Sequence, residues 1–383
     1  MRKVYMDNSS TSFPKAPGLG EAMGEFINRS GCNVGRGGYE MAYEVGVKVL
    51  ETRELISDLF GLKNAENVVF TSNVTAGINY VVQGLLHDGD HVIISAMEHN
   101  AVARAVEGIK AKGVTVSVAK CTADGRLDLE DFESQFRPNT KLVLMLHASN
   151  VSGTIIDAEA VGAICRSKGV FFVLDAAQSA GVIPIDFSKM NLSALCITGH
   201  KGLLGPQGIG ALLMTDEFAD EMDPVVFGGT GSRSDELTMP DFLPDKFEAG
   251  TLNLPGIIGL KASIEYIESQ GIDKIHAHEA GLTERFISGV RELPGVRIPG
   301  PADISQRLGV VSLDFEDIDN AEVAYLLDAE FGIMTRCGLQ CAPLAHKTLG
   351  TFPQGTVRFS FGYFNTEEEV DYAVDAVRQI LKK

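Results

Sequence analysis

The sequence predicts an α/β fold: a mostly parallel sheet in a large domain, followed by a smaller C-terminal α+β domain. Three observations carry this. Strand-like runs HVIIS (91–95), KLVLML (141–146), VFFVLDAA (170–177) and SALCIT (193–198) are continuously apolar, as in a parallel sheet buried on both faces. Helical periodicity recurs between them. Beyond residue 256 the pattern changes to helices with shorter, separated strands. With 383 residues, 45% hydrophobic content and 22% charged residues, the chain can fill two cores and is not disordered.

Taken in order, residues 1–38 read as irregular, rich in small polar residues. A first long helix is predicted from Met41 to Phe60, with Val45, Val49, Ile56 and Phe60 on one face. The strand Asn67 to Thr71 runs into Ser72-Asn73-Val74-Thr75-Ala76-Gly77, a small hydroxylated turn opening a helix. Such a turn presents backbone N–H groups to an anion; ordinary N-capping is the competing reading. Strands at 91–95 and 114–119 flank a helix from Val102 to Lys112, and a helix from Ala158 to Lys168 separates strands 141–146 and 170–177. From Thr215 to Leu252 regularity weakens, and so long a loop points to a role in a site or a subunit contact. A helix from Gly256 to Ser269 is expected to link the domains. Then come helix 272–293, strand 307–315, helix 319–330 and strands 333–336 and 355–361. A final helix is opened by the capping box Thr366-Glu367-Glu368-Glu369.

The net charge of -18 argues against nucleic acid or an anionic membrane as partner. Six scattered cysteines do not form a disulfide framework, so a reducing compartment is expected. No apolar run approaches the about 18 residues of a membrane span, and the N-terminus has no apolar signal core. The expectation is a soluble, cytoplasmic protein.

The chemistry concentrates at strand ends, where open α/β sheets bind ligands. His99, Asn150, Asp175, Gln178, His200 and Lys201 all follow apolar runs directly. A lysine desolvated at a strand mouth loses its proton more easily than at its ordinary pKa of about 10.4 and can form a Schiff base. Asp175 could then pair with a pyridine nitrogen, which makes pyridoxal phosphate the leading cofactor. His99 could stack on such a ring and relay protons. Gly205, Gly208 and Gly210 lack the register of a dinucleotide loop. A second centre, Arg336-Cys337-Gly338-Leu339-Gln340-Cys341-Ala342-Pro343, offers a cysteine beside Arg336 and His346 that could act as a nucleophile. A buried small residue or a Cys337/Cys341 redox or metal pair are the alternatives, and no further metal ligands accompany that spacing. Arg358, inside an apolar strand, needs a carboxylate, and a substrate α-carboxylate would serve.

Taken together, EHNA at His99, SNVSGT at Asn150, DAAQS at Asp175, TGHKGLLGPQGIGAL at Lys201, FEAGT at Thr251, RCGLQCAP at Cys341 and VRFSFGYFNT at Arg358 resemble one family. It is the cysteine desulfurase and selenocysteine lyase branch of the class V aminotransferases. The likeness spans nearly the whole chain. It implies the fold of fold type I pyridoxal phosphate enzymes. Residues 1–255 would form the large domain, with a seven-stranded, mostly parallel sheet and with residues 1–38 packing on the small domain. Residues 256–383 would form the smaller domain, which carries the cysteine loop. It implies Lys201 as the Schiff-base lysine, Asp175 on the pyridine nitrogen and His99 on the ring, with Lys201, Cys341 and His99 catalytic. Gln178 and Asn150 would reach the ring hydroxyl or substrate. Thr75, the backbone around Val74, Thr198 and His200 would hold the phosphate. Arg358, with Asn150 and Arg336, would bind substrate. Thr251 would reach the phosphate of the other subunit, making a homodimer with shared sites.

The implied reaction takes L-cysteine to L-alanine and passes sulfur through a Cys341 persulfide to an acceptor protein. Selenocysteine lyase activity, an aminotransferase or β-lyase that does not use the cysteine, and a non-catalytic sulfur-relay scaffold are the alternatives. Departures from the family pattern are Gly35, Val74 in the phosphate loop, and the additional thiol Cys337.

Overall fold

Seven strands form the larger sheet of the computed structural model, which describes residues 2–34 and 37–382. In spatial order they are Val68–Thr71, Gly210–Met214, Ala194–Thr198, Phe171–Asp175, Thr140–Leu146, His91–Ser95 and Thr115–Ala119. All run parallel except Gly210–Met214, which is antiparallel to both of its neighbours. Central strands are buried on both faces, and alternate residues feed two cores. Val143, Phe172, Leu174, Leu195 and Ile197 pack on one side; Leu142, Leu144, Val173 and Cys196 pack on the other. The edge strand Thr115–Ala119 alternates between exposed and buried residues, as an edge with one wet face should.

Gly210 shows how tightly the second strand is set. A Cβ there would lie 2.4 Å from the Ile197 carbonyl and 3.2 Å from the Asn73 backbone, so only glycine lets the strand approach this turn.

The smaller sheet orders Arg336–Gly338, Thr356–Ser360, Val310–Phe315 and Val296–Arg297, all antiparallel. Helices Ile272–Val290, Asn320–Phe331 and Glu367–Ile380 cover it through Leu282, Phe286, Val323, Leu327, Val370 and Val374. Thr366 and Glu369 close the expected capping box, Glu369 N–H donating to Thr366 Oγ1 and Thr366 N–H to Glu369 Oε2. Helix Leu254–Gln270, the expected linker, buries Ile257, Leu260, Ile264 and Ile267 in the larger core.

Three local expectations are corrected. Residues 1–38 are not wholly irregular: Val4–Tyr5 pairs in parallel with Ile333–Met334, and Leu19–Arg29 is a helix packed on Leu254–Gln270. The strand escaped notice because its partner lies more than 300 residues away in the chain. The helix escaped because it starts at Gly18 with no side-chain cap. The predicted strand 333–336 is two strands, Ile333–Met334 and Arg336–Gly338, in different sheets. Asp216–Asp220 forms a short helix, after which the chain is irregular as far as the Asn253 cap. Gly35 lies outside the described residues.

Candidate active site

The carboxyl ends of the larger sheet open onto a cavity. Its walls carry Val74, Thr75, His99, Asn150, Asp175, Gln178, Thr198, His200 and Lys201. The architecture explains the convergence: Asp175 and Thr198 terminate adjacent parallel strands, and the turn after Thr198 returns Lys201 over the sheet end.

Burial governs the charges. It pushes the Lys201 ammonium down to about 8, against the opposing pull of Asp175 and with help from Arg358 and Arg336. Burial also raises the Asp175 carboxyl, while the Ala177 N–H, which donates to Oδ1 at 2.8 Å, and Lys201 draw it back. His99 is driven down to about 4 by burial and then by the surrounding cations, so its imidazole is neutral at pH 7. It caps helix Asn100–Ile109, and its Nδ1 accepts from Ala101 N–H at 3.0 Å. That bond places the ring proton on Nε2.

Three buried polar atoms on the cavity wall have no partner among the described residues: Asn150 Oδ1, Thr198 Oγ1 and His200 Nδ1. Orphaned buried groups are costly unless a ligand completes them. Helix Val74–Leu85 begins beside them, so the N–H groups of Val74 and Thr75 precede its first intrahelical bond and face the same end of the cavity. Asn73 caps that helix by accepting from Ala76 N–H, so capping and anion binding share the turn. A phosphate at this end, an acid at the other and an amine between them fit pyridoxal phosphate. Lys201, Asp175, His99, Thr75, Thr198 and His200 would hold it.

Gln178 lines the cavity, but its Nε2 donates to Ser9 O at 3.1 Å and so ties the N-terminal segment to the site. Asn150 Nδ2 donates to Gln340 O at 2.7 Å. Thr251 is exposed just before the Asn253 cap and lies apart from the cavity wall of its own chain.

Cys341 sits on the four-residue connection 339–342 between strand Arg336–Gly338 and helix Pro343–Thr348. Its sulfur is exposed and lies 3.6 Å from Arg336 Nη2. Gln340 anchors the loop: its Nε2 donates to Thr356 O at 2.9 Å and its Oε1 bonds His346 Nε2 at 2.7 Å. The Cys341 carbonyl accepts from Asn100 N–H, directly after His99. Gln340 and Cys341 both take left-handed backbone conformations, φ 40° and 58°. His346 therefore does not touch Cys341; it is buried between Gln340 and Thr351. Cys337 alternates to the other face of its strand and lines a groove with Asp319 and Asn320.

Arg358 is fully buried, and its carboxylate partner lies within the chain. Nη2 meets Asp7 Oδ1 at 2.5 Å and Ser10 Oγ at 2.8 Å, while Nη1 donates to Asn150 O at 3.1 Å. Sequence reasoning missed Asp7 and Ser10, because nothing local in DNSST signals a partner some 350 residues away. It also missed Glu98. That carboxyl is buried beneath the site and accepts from Ser95 Oγ at 2.6 Å and Leu146 N–H at 3.1 Å. Burial raises its pKa to about 8. Its place next to His99, just after a strand end, was the available signal.

Residues 4–373 match the model of the family described as aminotransferase class-V. A probable cysteine desulfurase of Pyrococcus abyssi is 37% identical across 99% of this chain and 94% of its own length. One from Methanothermobacter thermautotrophicus is 34% identical across 98% and 94%. Among solved structures, a cysteine desulfurase from Thermococcus onnurineus NA1 superposes with a TM-score of 0.93 at 35% identity, covering 99% of this chain and 95% of that one. A cysteine desulfurase of Escherichia coli in an S-sulfonic acid form gives 0.89 at 28% identity, over 99% and 95%. The chain belongs to the cysteine desulfurase family of class V aminotransferases, a family of pyridoxal phosphate enzymes.

Proposed function

We propose that the protein is a pyridoxal phosphate-dependent cysteine desulfurase that converts L-cysteine to L-alanine and takes the sulfur onto Cys341. The carrying observation is the pairing of two centres. A desolvated lysine and a buried aspartate share one cavity, and the cysteine loop, which does not itself line that cavity, is tied to its wall by the Asn150–Gln340 bond and to the residue after His99 by the Asn100–Cys341 bond.

Bound pyridoxal phosphate supplies an aldehyde that condenses with amines and a ring that withdraws electrons from the substrate. Asp175 keeps a proton on the ring nitrogen, which a buried carboxylate can do when a cation faces it. Lys201, shifted to about 8, is partly neutral at working pH, so its amine can both take and return a proton at Cα. Arg358 and Asn150 orient the substrate carboxylate. The Cys341 sulfur, faced by the Arg336 guanidinium, attacks the sulfur of cysteine. An S–S bond forms and the C–S bond breaks, its electron pair returning to the carbon skeleton, which is then protonated to alanine. Cys341 is left as a persulfide for transfer to an acceptor protein or release as sulfide by a reductant.

A homodimer fits two surface features. Helix Glu40–Phe60 buries Val45, Val49, Ile56 and Phe60, yet it also exposes Tyr43, Val47 and Leu50 as a second apolar stripe. Thr251 is exposed and free to reach a second copy's phosphate site. A cytoplasmic setting agrees with six unpaired cysteines and with the lack, among the described residues, of any helix long and apolar enough to cross a membrane.

The test is sulfide and alanine release from L-cysteine under reductant, wild type beside Cys341→Ala. Loss of both products with the cofactor absorbance retained supports the proposal. Equal activity would make Cys341 a bystander and favour an aminotransferase or β-lyase. Relative turnover of cysteine and selenocysteine decides between desulfurase and selenocysteine lyase.

A further inference from the structure

Six groups from four segments of the chain form one continuous polar array beside the cavity. The Ser10 hydroxyl donates to Asp7 Oδ1 at 2.8 Å and accepts from both Arg336 Nη1, at 3.0 Å, and Arg358 Nη2, at 2.8 Å. A hydroxyl has one proton and two lone pairs, so every bond Ser10 can make is used. Arg336 continues the array to the Cys341 sulfur, and Arg358 continues it to the Asn150 carbonyl. Asp7 itself is fixed by a bridge to Ser360, two residues beyond Arg358 in the strand Thr356–Ser360. Within the buried guanidinium of Arg358, Nε still has no partner among the described residues.

Two guanidiniums and one carboxylate leave the array with a single net positive charge. That is the complement of one α-carboxylate. The geometry points to Asp7 as a specificity-determining residue that sets this charge, so that the site takes amino acids with an uncharged side chain and rejects those with a second carboxylate. The inference rests on the reading of Arg358 as the substrate-carboxylate anchor. The sulfur of a bound cysteine must lie where Cys341 can reach it, on the Arg336 side of the array. The side-chain carboxylate of L-aspartate would occupy that same place. With Asp7 ionised, only one excess positive charge is shared by two carboxylates. Without it, a second becomes available.

Calorimetric titration of the cofactor-loaded enzyme with L-alanine and L-aspartate tests this. Asp7→Asn, which keeps the shape and a hydrogen bond, should raise the ratio of aspartate to alanine affinity about tenfold. This is the scale of removing one unit charge within several ångströms of the ligand in a partly screened site. Arg336→Gln should move the ratio in the opposite direction, and this variant decides the matter should Asp7→Asn fail to fold. A merely structural role would weaken both ligands together and leave the ratio fixed, and that result would overturn the proposal. Arg358→Gln separates the two levels. If alanine binding survives that change intact, the anchor reading fails, whatever Asp7→Asn does to the ratio.

Discussion

Glu248 provides the sharpest stability test. Its carboxylate lies in the irregular segment before Thr251 and reaches back to the long helix Glu40–Phe60. Arg53 Nη1 donates to Oε1 at 2.9 Å and Arg53 Nη2 to Oε2 at 2.6 Å, a two-pronged contact in which both side chains are more than nine-tenths buried. Oε1 also accepts from Phe70 N–H at 2.6 Å, closing a backbone donor on the edge strand Val68–Thr71, and the guanidinium stacks over the Phe70 ring. Glu248→Leu removes one partner and strands a buried cation and a buried N–H. Breaking such a pair costs about 3–5 kcal/mol. At roughly 2.1 cal/mol/K of unfolding entropy per residue, this 383-residue chain loses about 0.8 kcal/mol per degree near its midpoint. The melting temperature of the purified enzyme should therefore fall by about 4–6 °C, read by differential scanning calorimetry at fixed protein concentration. Because the penalty comes from the uncompensated charge, Arg53→Met combined with Glu248→Leu should recover more than half of the loss. A shift under about 1 °C for Glu248→Leu alone would refute the reasoning.

Three further outcomes follow from the site. Lys201, shifted down to about 8, is mostly ammonium below that pH and mostly free amine above it. Covalent loading of pyridoxal phosphate onto cofactor-free protein should accelerate up to about tenfold per pH unit below 8 and level off above it, followed by absorbance. Gln340→Ala removes the bonds that hold the cysteine loop, so sulfide release should drop at least tenfold while cofactor absorbance and melting temperature change little. Lys15 Nζ donates to the His200 carbonyl at 2.8 Å and to the hydroxyls of Thr11 and Ser12. Lys15→Met should slow cofactor loading several-fold by loosening the peptide that precedes Lys201, which stopped-flow absorbance reads directly.

Residues that announce themselves by contrast were legible in the sequence. Lys201 and Asp175 are ionisable groups that end runs of apolar residues, and a sheet buried on both faces leaves such groups nowhere to go but its end. The periodicity of Glu40–Phe60 and the capping box of the last helix were equally plain, since both depend on neighbours three or four positions apart. What was not legible depends on distant pairing. His346, expected beside Cys341 from sequence proximity, has both ring nitrogens engaged elsewhere, Nε2 with Gln340 and Nδ1 with Thr351. Arg358 was read as awaiting a substrate carboxylate, and its resident partner Asp7 could not be found without the strap that pairs Val4–Tyr5 with Ile333–Met334. The second, exposed stripe of Glu40–Phe60 was hidden for a different reason. A helix apolar on two faces has a weak directional signal, and only burial separates the face that packs from the face that waits.

The N-terminal strap also explains how two sheets can share one site. Val4 and Met6 are buried in the smaller core, Ala16 in the larger, and the nine residues between Met6 and Ala16 have almost no regular structure. Their backbone and side chains are spent on the active site instead. Ser12 N–H, Thr11 Oγ1 and Lys15 Nζ all donate to the His200 carbonyl, Ser9 O receives Gln178, and Asp7 and Ser10 grip the two arginines. The lysine end of the site belongs to the larger sheet, and the arginine end to the smaller. A strap bonded to both ties their separation to its own hydrogen bonds as well as to the packing of the two cores. On the proposed reading that constraint matters because Cys341 follows the smaller sheet: a shift of about 1 Å between the sheets would carry its sulfur out of line with a substrate held over Lys201.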